Sequence, residues 1–174
     1  MRILVAGIGN IFFGDDAFGV EVAQQLLRRP LPEGVRIEDF GIRSYDLAYA
    51  IMDGWDTVIM IDATPRGHPP GTVSLIEPDL STLGDNPSDI VNGHSLNPVS
   101  VLQMVQSLGG TLPCLYLIGC EPAVLETEDL GLSAAVQATV PQAIEMTVSL
   151  IHSLLDGTAT EADAISAGIS GRSG

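Results

Sequence analysis

Three uninterrupted apolar runs, each closed by glycine or aspartate, set the architecture of this chain: Arg2 to Gly7, Thr57 to Asp62 and Cys114 to Gly119. A strand with no polar alternation has no solvent face, so it must be covered on both sides. Val35 to Phe40 and Thr72 to Ile76 are two further short strand candidates. The segments between them carry helical spacing. Ala17 to Arg29 aligns Val20, Ala23, Leu26 and Leu27 on one stripe. Tyr45 to Met52 follows Ser44 as a predicted N-cap, and Pro98 to Leu108 follows Asn97 with proline in the first turn. Ser133 to Leu155 repeats Val136, Val140, Ile144, Val148, Ile151 and Leu155 every three or four residues. Strands alternating with helices predict an α/β fold: a parallel or mainly parallel sheet, right-handed crossovers and helices on both faces.

The 174 residues predict one domain over 1–155, with a Gly-, Ser-, Thr- and Ala-rich flexible tail over 156–174. Glu77 to His94 reads as a long loop without periodicity, a kind that is usually functional or disordered. Seven basic against 22 acidic residues give a net charge of −15, which repels phosphate and makes nucleic acid and anionic membranes poor partners. A cation, a cationic partner or a neutral small molecule fits such a surface. No apolar run approaches the roughly 20 residues a bilayer requires, and no signal peptide opens the chain, so a cytoplasmic location is expected. Cys114 and Cys120 end one predicted strand, ~20 Å apart at ~3.3 Å per residue, too far to bridge. They are expected to serve as small buried hydrophobes.

In an open α/β sheet, ligands bind beyond the carboxyl ends of the strands. The glycine-rich turn Gly7-Ile8-Gly9-Asn10 after the first strand, with Asp39 ending the second, raises a dinucleotide-binding alternative in which Asp39 holds a ribose. The glycine spacing is G-x-G-x-x-x-x-G, however, and Asp15 and Asp16 stand where the next helix begins. Two carboxylates there repel the pyrophosphate that this helix end would have to bind. They favour a cation instead. Asp16, Asp62 and His94 all fall at element ends on the ligand edge, and two oxygens with one imidazole nitrogen suit a divalent first-row metal with open positions. Blander roles compete: helix-dipole complementation by Asp15 or Asp16, a turn cap from Asp62, a solvated His94. No G-x-S-x-G elbow is present, and no histidine is placed by local pattern beside Cys120. His68 falls in a turn and His152 near the end of the last helix, while Phe18 and Trp55 read as packing residues.

The segment Met1 to Val20, which includes Gly7-Ile8-Gly9-Asn10 and Gly14-Asp15-Asp16-Ala17-Phe18-Gly19-Val20, resembles the N-terminal signature of the hydrogenase maturation proteases, which trim the C-terminus of the nickel–iron hydrogenase large subunit. Val58-Ile59-Met60-Ile61-Asp62-Ala63, Gly93-His94-Ser95-Leu96, Gly119-Cys120-Glu121-Pro122 and Gly131-Leu132-Ser133 resemble later family segments in the same order. The resemblance covers Met1 to Leu155. It implies a three-layer α/β/α sandwich around a twisted, mainly parallel sheet of about five strands, with Asp16, Asp62 and His94 as metal ligands. Many members carry Glu at the position of Asp16. Many also carry Asp-Gly-Gly-Thr where this chain has Asp39-Phe40-Gly41-Ile42-Arg43, which implies a changed cleft beside the metal and a different cognate hydrogenase.

The function implied is endopeptidase cleavage of a hydrogenase large-subunit precursor. The metal implied is nickel, supplied by that substrate, with no organic cofactor. Asp39 is the candidate catalytic acid for activating water. A monomer is expected. The alternative of another class is a docking protein that senses nickel in the immature subunit without cutting it.

Overall fold

The chain is described from a computed structural model over residues 1–78, 98–125 and 130–158. Five strands form one sheet in the order β2-β1-β3-β5-β4: β1 (Ile3–Ile8), β2 (Val35–Gly41), β3 (Thr57–Ala63), β4 (Val73–Ile76) and β5 (Cys114–Cys120). The pairs β1–β2, β1–β3 and β3–β5 are parallel, whereas the edge strand β4 runs antiparallel to β5. The mainly parallel sheet read from the apolar runs is thus observed. Every residue of β1 and β3 is buried, as strands covered on both faces require.

Alternation along the strands divides the core in two. Ile3, Val5, Ile59, Ile61 and Ile118 face α1 (Phe18–Leu26) and α5 (Val140–Leu155). Leu4, Ala6, Ile8, Val58 and Met60 face α2 (Ser44–Ile51) and α3 (Pro98–Ser107). The turn after α3 meets the amino-terminal edge of the sheet, where Gly110 lies against Met52 and the Cys114 N–H donates to the Asp56 carbonyl at 3.1 Å. Helix α3 therefore descends from the carboxyl edge.

Several boundaries differ from the sequence reading. The helix expected from Ala17 opens earlier, as a 3-10 turn over Gly14–Ala17, and α1 ends at Leu26 rather than Arg29. The helix expected over 133–155 is two helices, α4 (Ala134–Gln137) and α5. Pro141 explains the break: it has no N–H to give the Gln137 carbonyl, and its ring would clash there, so it sits in the first turn of a new helix instead. Ser133 does cap α4, accepting from the Val136 N–H at 3.4 Å. Ser44 is already helical and makes no cap bond. Cys120 is buried as expected, but Cys114 is exposed at the foot of β5. Phe18 is core, and Trp55 is half-buried with its indole N–H on the Ala50 carbonyl. Asn97, most of the loop from Glu77 to His94 and the tail beyond residue 158 lie outside the described residues.

Helix α1 lies unusually close to the strands it covers. A Cβ on Gly19 would sit 1.9 Å from the Ile61 carbonyl oxygen and 2.4 Å from that of Ile8. Both obstacles are backbone and cannot step aside. Gly19→Ala is therefore expected to destabilise the chain by about 3 kcal/mol or more, read as a lower urea midpoint. An unchanged midpoint would show that α1 can lift off the sheet at little cost.

Candidate functional site at the carboxyl edge

After β1 the chain turns over the top of the sheet. Gly9, at φ +132°, makes the turn, and a Cβ there would fall 1.7 Å from the Asp16 carbonyl oxygen. The Asn10 side chain accepts from the Phe12 N–H at 3.0 Å, and the Phe13 N–H donates to the Asn10 carbonyl at 3.1 Å. The 3-10 turn then returns the chain, so that the Asp16 carboxylate accepts the Asn10 N–H at 2.9 Å and closes the loop.

Asp62, the penultimate residue of β3, lies on the strand face shared with Val58 and Met60. Its Oδ1 accepts the Ala63 N–H at 2.8 Å. Both acids are buried, Asp16 to 7% exposure and Asp62 to 5%. Burial raises the pKa of Asp16, against a partial offset from the Asn10 N–H. Burial raises Asp62 well above its ordinary value; the Asp16 charge raises it further, and the Ala63 N–H offsets part. Among the described residues, no ion pair reaches either acid: the four present join Arg2, Arg29, Arg36 and Arg43 to other carboxylates. Two like charges held together in a poorly solvated place, without a cationic side chain, form a pair that a divalent cation would relieve. Among the described residues no cluster of three donors is assembled, so the described part supplies these two, and His94 lies outside it.

Asp39 is placed differently. It pairs with Gly7 across β1–β2, on the face of α1, and accepts from the Gln24 side chain at 3.2 Å. Strand alternation directs it to the opposite face from Asp62. Phe40, expected to alter the cleft, is 1% exposed in the core between the sheet, α2 and α3. Arg43 folds back onto the β2–α2 turn, donating to the carbonyls of Asp39 and Phe40 and pairing with Asp46 at 3.2 Å.

Two features escaped the sequence reading. Asp15 is not a dipole partner for α1; it is fastened to the chain beyond β5 by three backbone N–H groups, from Ala123, Val124 and Ser133. The loop after β1 also exposes Ile11, Phe12 and Phe13, and the Gly9 N–H ties it to Gly41, next to exposed Ile42 and Tyr45. These exposed side chains give the carboxyl edge an apolar rim.

Fold and site together define an α/β protein with a buried pair of acids and an apolar rim at the carboxyl edge of its sheet. Comparison with known proteins makes the class specific. A model of the hydrogenase maturation protease family matches residues 20–150. The hydrogenase expression/formation protein HupD of Rhizobium leguminosarum bv. viciae is 34% identical over 155 residues, spanning 87% of this chain and 75% of that protein. The hydrogenase 2 maturation protease of Escherichia coli K12 is 32% identical, spanning 87% of this chain and 92% of its own length. The solved structure of the E. coli hydrogenase maturating endopeptidase HybD superposes with a TM-score of 0.70 at 30% identity, over 87% of this chain and 93% of that one. The chain belongs to the hydrogenase maturation protease family, and it is a peptidase.

The buried acid pair has a cost that titration exposes. The folded chain holds the Asp62 proton more tightly than the unfolded chain does, so stability falls as pH rises from the ordinary value of 3.8 through the raised one. Asp62→Asn removes the charge and keeps an oxygen for the Ala63 N–H. It is expected to raise the melting temperature at neutral pH by a few degrees, with the difference closing as the pH is lowered toward 4. A lower melting temperature for this variant at pH 7 would show that the acid stabilises the fold.

Proposed function

We propose that this chain is the endopeptidase that removes a short C-terminal peptide from the nickel-loaded large-subunit precursor of a nickel–iron hydrogenase. The nickel arrives with the substrate and is recognised by Asp16, Asp62 and His94. The observation that carries the reading is the buried Asp16–Asp62 pair, which among the described residues has no cationic side-chain partner. Such a pair gains most from a partner that brings positive charge into it, which suits a gate that opens only for a metallated precursor. His94 lies four positions before Pro98 in the sequence, and Pro98 starts α3 at the carboxyl edge.

The rest of the edge supplies the substrate surface. Ile11, Phe12, Phe13, Ile42 and Tyr45 offer apolar contacts beside the acids, and the acidic surface favours a basic patch on the precursor. Asp39 is the second acid of the proposal, as the group that takes a proton from the water attacking the scissile carbonyl and passes it to the amine released when the C–N bond breaks. A bound nickel ion would polarise the scissile carbonyl; the chain's own part is to orient the peptide against the rim and to accept that proton. No helix among the described residues is long and apolar enough to cross a membrane. We further propose that the chain acts in the cytoplasm as a monomer.

The test is the intact mass of the co-expressed large subunit, with nickel-loaded and nickel-free precursor incubated side by side with this protein. Loss of a C-terminal peptide from the nickel-loaded sample alone is the expected result. No mass change in either sample, with the cognate precursor loaded, would overturn the reading in favour of docking without cleavage. Asp16→Asn and His94→Ala are expected to abolish the nickel-dependent cut. Asp39→Asn is expected to slow it by about 100-fold or more while the precursor still binds, as loss of a general base does. Full activity in that variant would remove Asp39 from the chemistry.

A further inference from the structure

Asp15 stands next to Asp16 but points into the protein. It is 1% exposed, and both its oxygens are engaged by backbone: Oδ2 by the N–H groups of Ala123 at 2.8 Å and Val124 at 3.0 Å, Oδ1 by that of Ser133 at 2.6 Å. The Asp15 N–H donates in turn to the Val124 carbonyl at 3.1 Å. The 3-10 turn that carries Asp16 is thus pinned to the segment after β5.

That segment is itself pinned to the loop after β3. The Thr64 N–H donates to the Cys120 carbonyl at 2.8 Å, and the Glu121 N–H to the Thr72 carbonyl at 2.9 Å. The Glu121 carboxylate is buried and accepts the N–H groups of Arg66 at 2.8 Å and Gly67 at 3.1 Å. Cys120 to Val124 therefore holds both the loop bearing Asp16 and the chain leaving Asp62, without contributing to the acid pair.

We propose that Asp15 is a positioning residue. Braced against the Cys120–Val124 segment, it sets the place of the Asp16 carboxylate relative to Asp62. The inference rests on reading Asp16 and Asp62 as the nickel-recognising pair. An Asn at position 15 would aim an N–H2 group at one of the three donors, and the turn would lose its register.

The reporter is the Asn10 amide, which donates to the Asp16 carboxylate at 2.9 Å. Amide hydrogen exchange on the full chain compares Asn10 with core amides of β3 such as Ile59. In Asp15→Asn, exchange at Asn10 is expected to quicken by about tenfold beyond any change at Ile59, the effect of losing one hydrogen bond to a charged group. Should that variant fail to fold, Ser133→Pro removes a single donor. Ser133 already has φ −60°, which proline adopts without strain, and Ser133→Ala controls for its lost cap. Ser133→Pro should loosen Asn10 and Ser133→Ala should not. Equal acceleration at Asn10 and Ile59, or an unmoved Asn10, overturns the proposal and leaves Asp15 a stabilising residue only. Cleavage of nickel-loaded precursor gives the functional arm: kcat/KM should fall about tenfold in Asp15→Asn. If the unaltered chain leaves that precursor uncut while Asn10 loosens in the variants, the nickel reading falls and the positioning geometry stands.

Discussion

The close crossing of the chain over β1 and β3 is the constraint on which the rest depends. It exists because Gly9 and Gly19 leave space that no side chain could share. Through it, a turn following β1 is brought over the end of β3, and an acid from each comes to lie in the same poorly solvated place. The core below supports this arrangement from both sides: α1 presses one face of β1 and β3, while α2 and α3 close the other.

The layering explains why function collects where it does. The interior of the sheet is apolar and saturated with backbone bonds, so chemistry is left to the loops that leave the strands. Those loops are tied to one another more than to solvent. Gly9 bonds Gly41, Asp15 bonds the chain beyond β5, and Glu121 bonds the chain beyond β3. The result is an edge made of irregular backbone that is nonetheless held in register by main-chain donors, a firm mount for the side chains of a peptidase.

Much of this was legible in the sequence. The fully buried strands announced themselves as unbroken apolar runs, because a strand with two covered faces has no reason to alternate. Asp16 and Asp62 stood out because they end elements on the ligand edge. Other parts were hidden because their causes are distant. Asp15 answers donors 108 to 118 positions away, and Glu121 answers donors 54 and 55 positions away, so no local pattern could reveal either. Phe40 read as a cleft residue, yet it lies beside Ile8 and Met60 in the core, a placement fixed by the pairing of β2 on β1. The split between α4 and α5 was present in the sequence as Pro141, masked by an apolar rhythm that continues across the break.

The edges of the sheet carry one more consequence. At one side β2 displays the Arg36–Glu38 pair at 2.6 Å, and at the other β4 offers only four residues. An extended peptide seeking to add itself as a sixth strand would have to desolvate that ion pair or settle for a very short ladder. The flanks of the sheet thus offer a poor backbone template for strand addition.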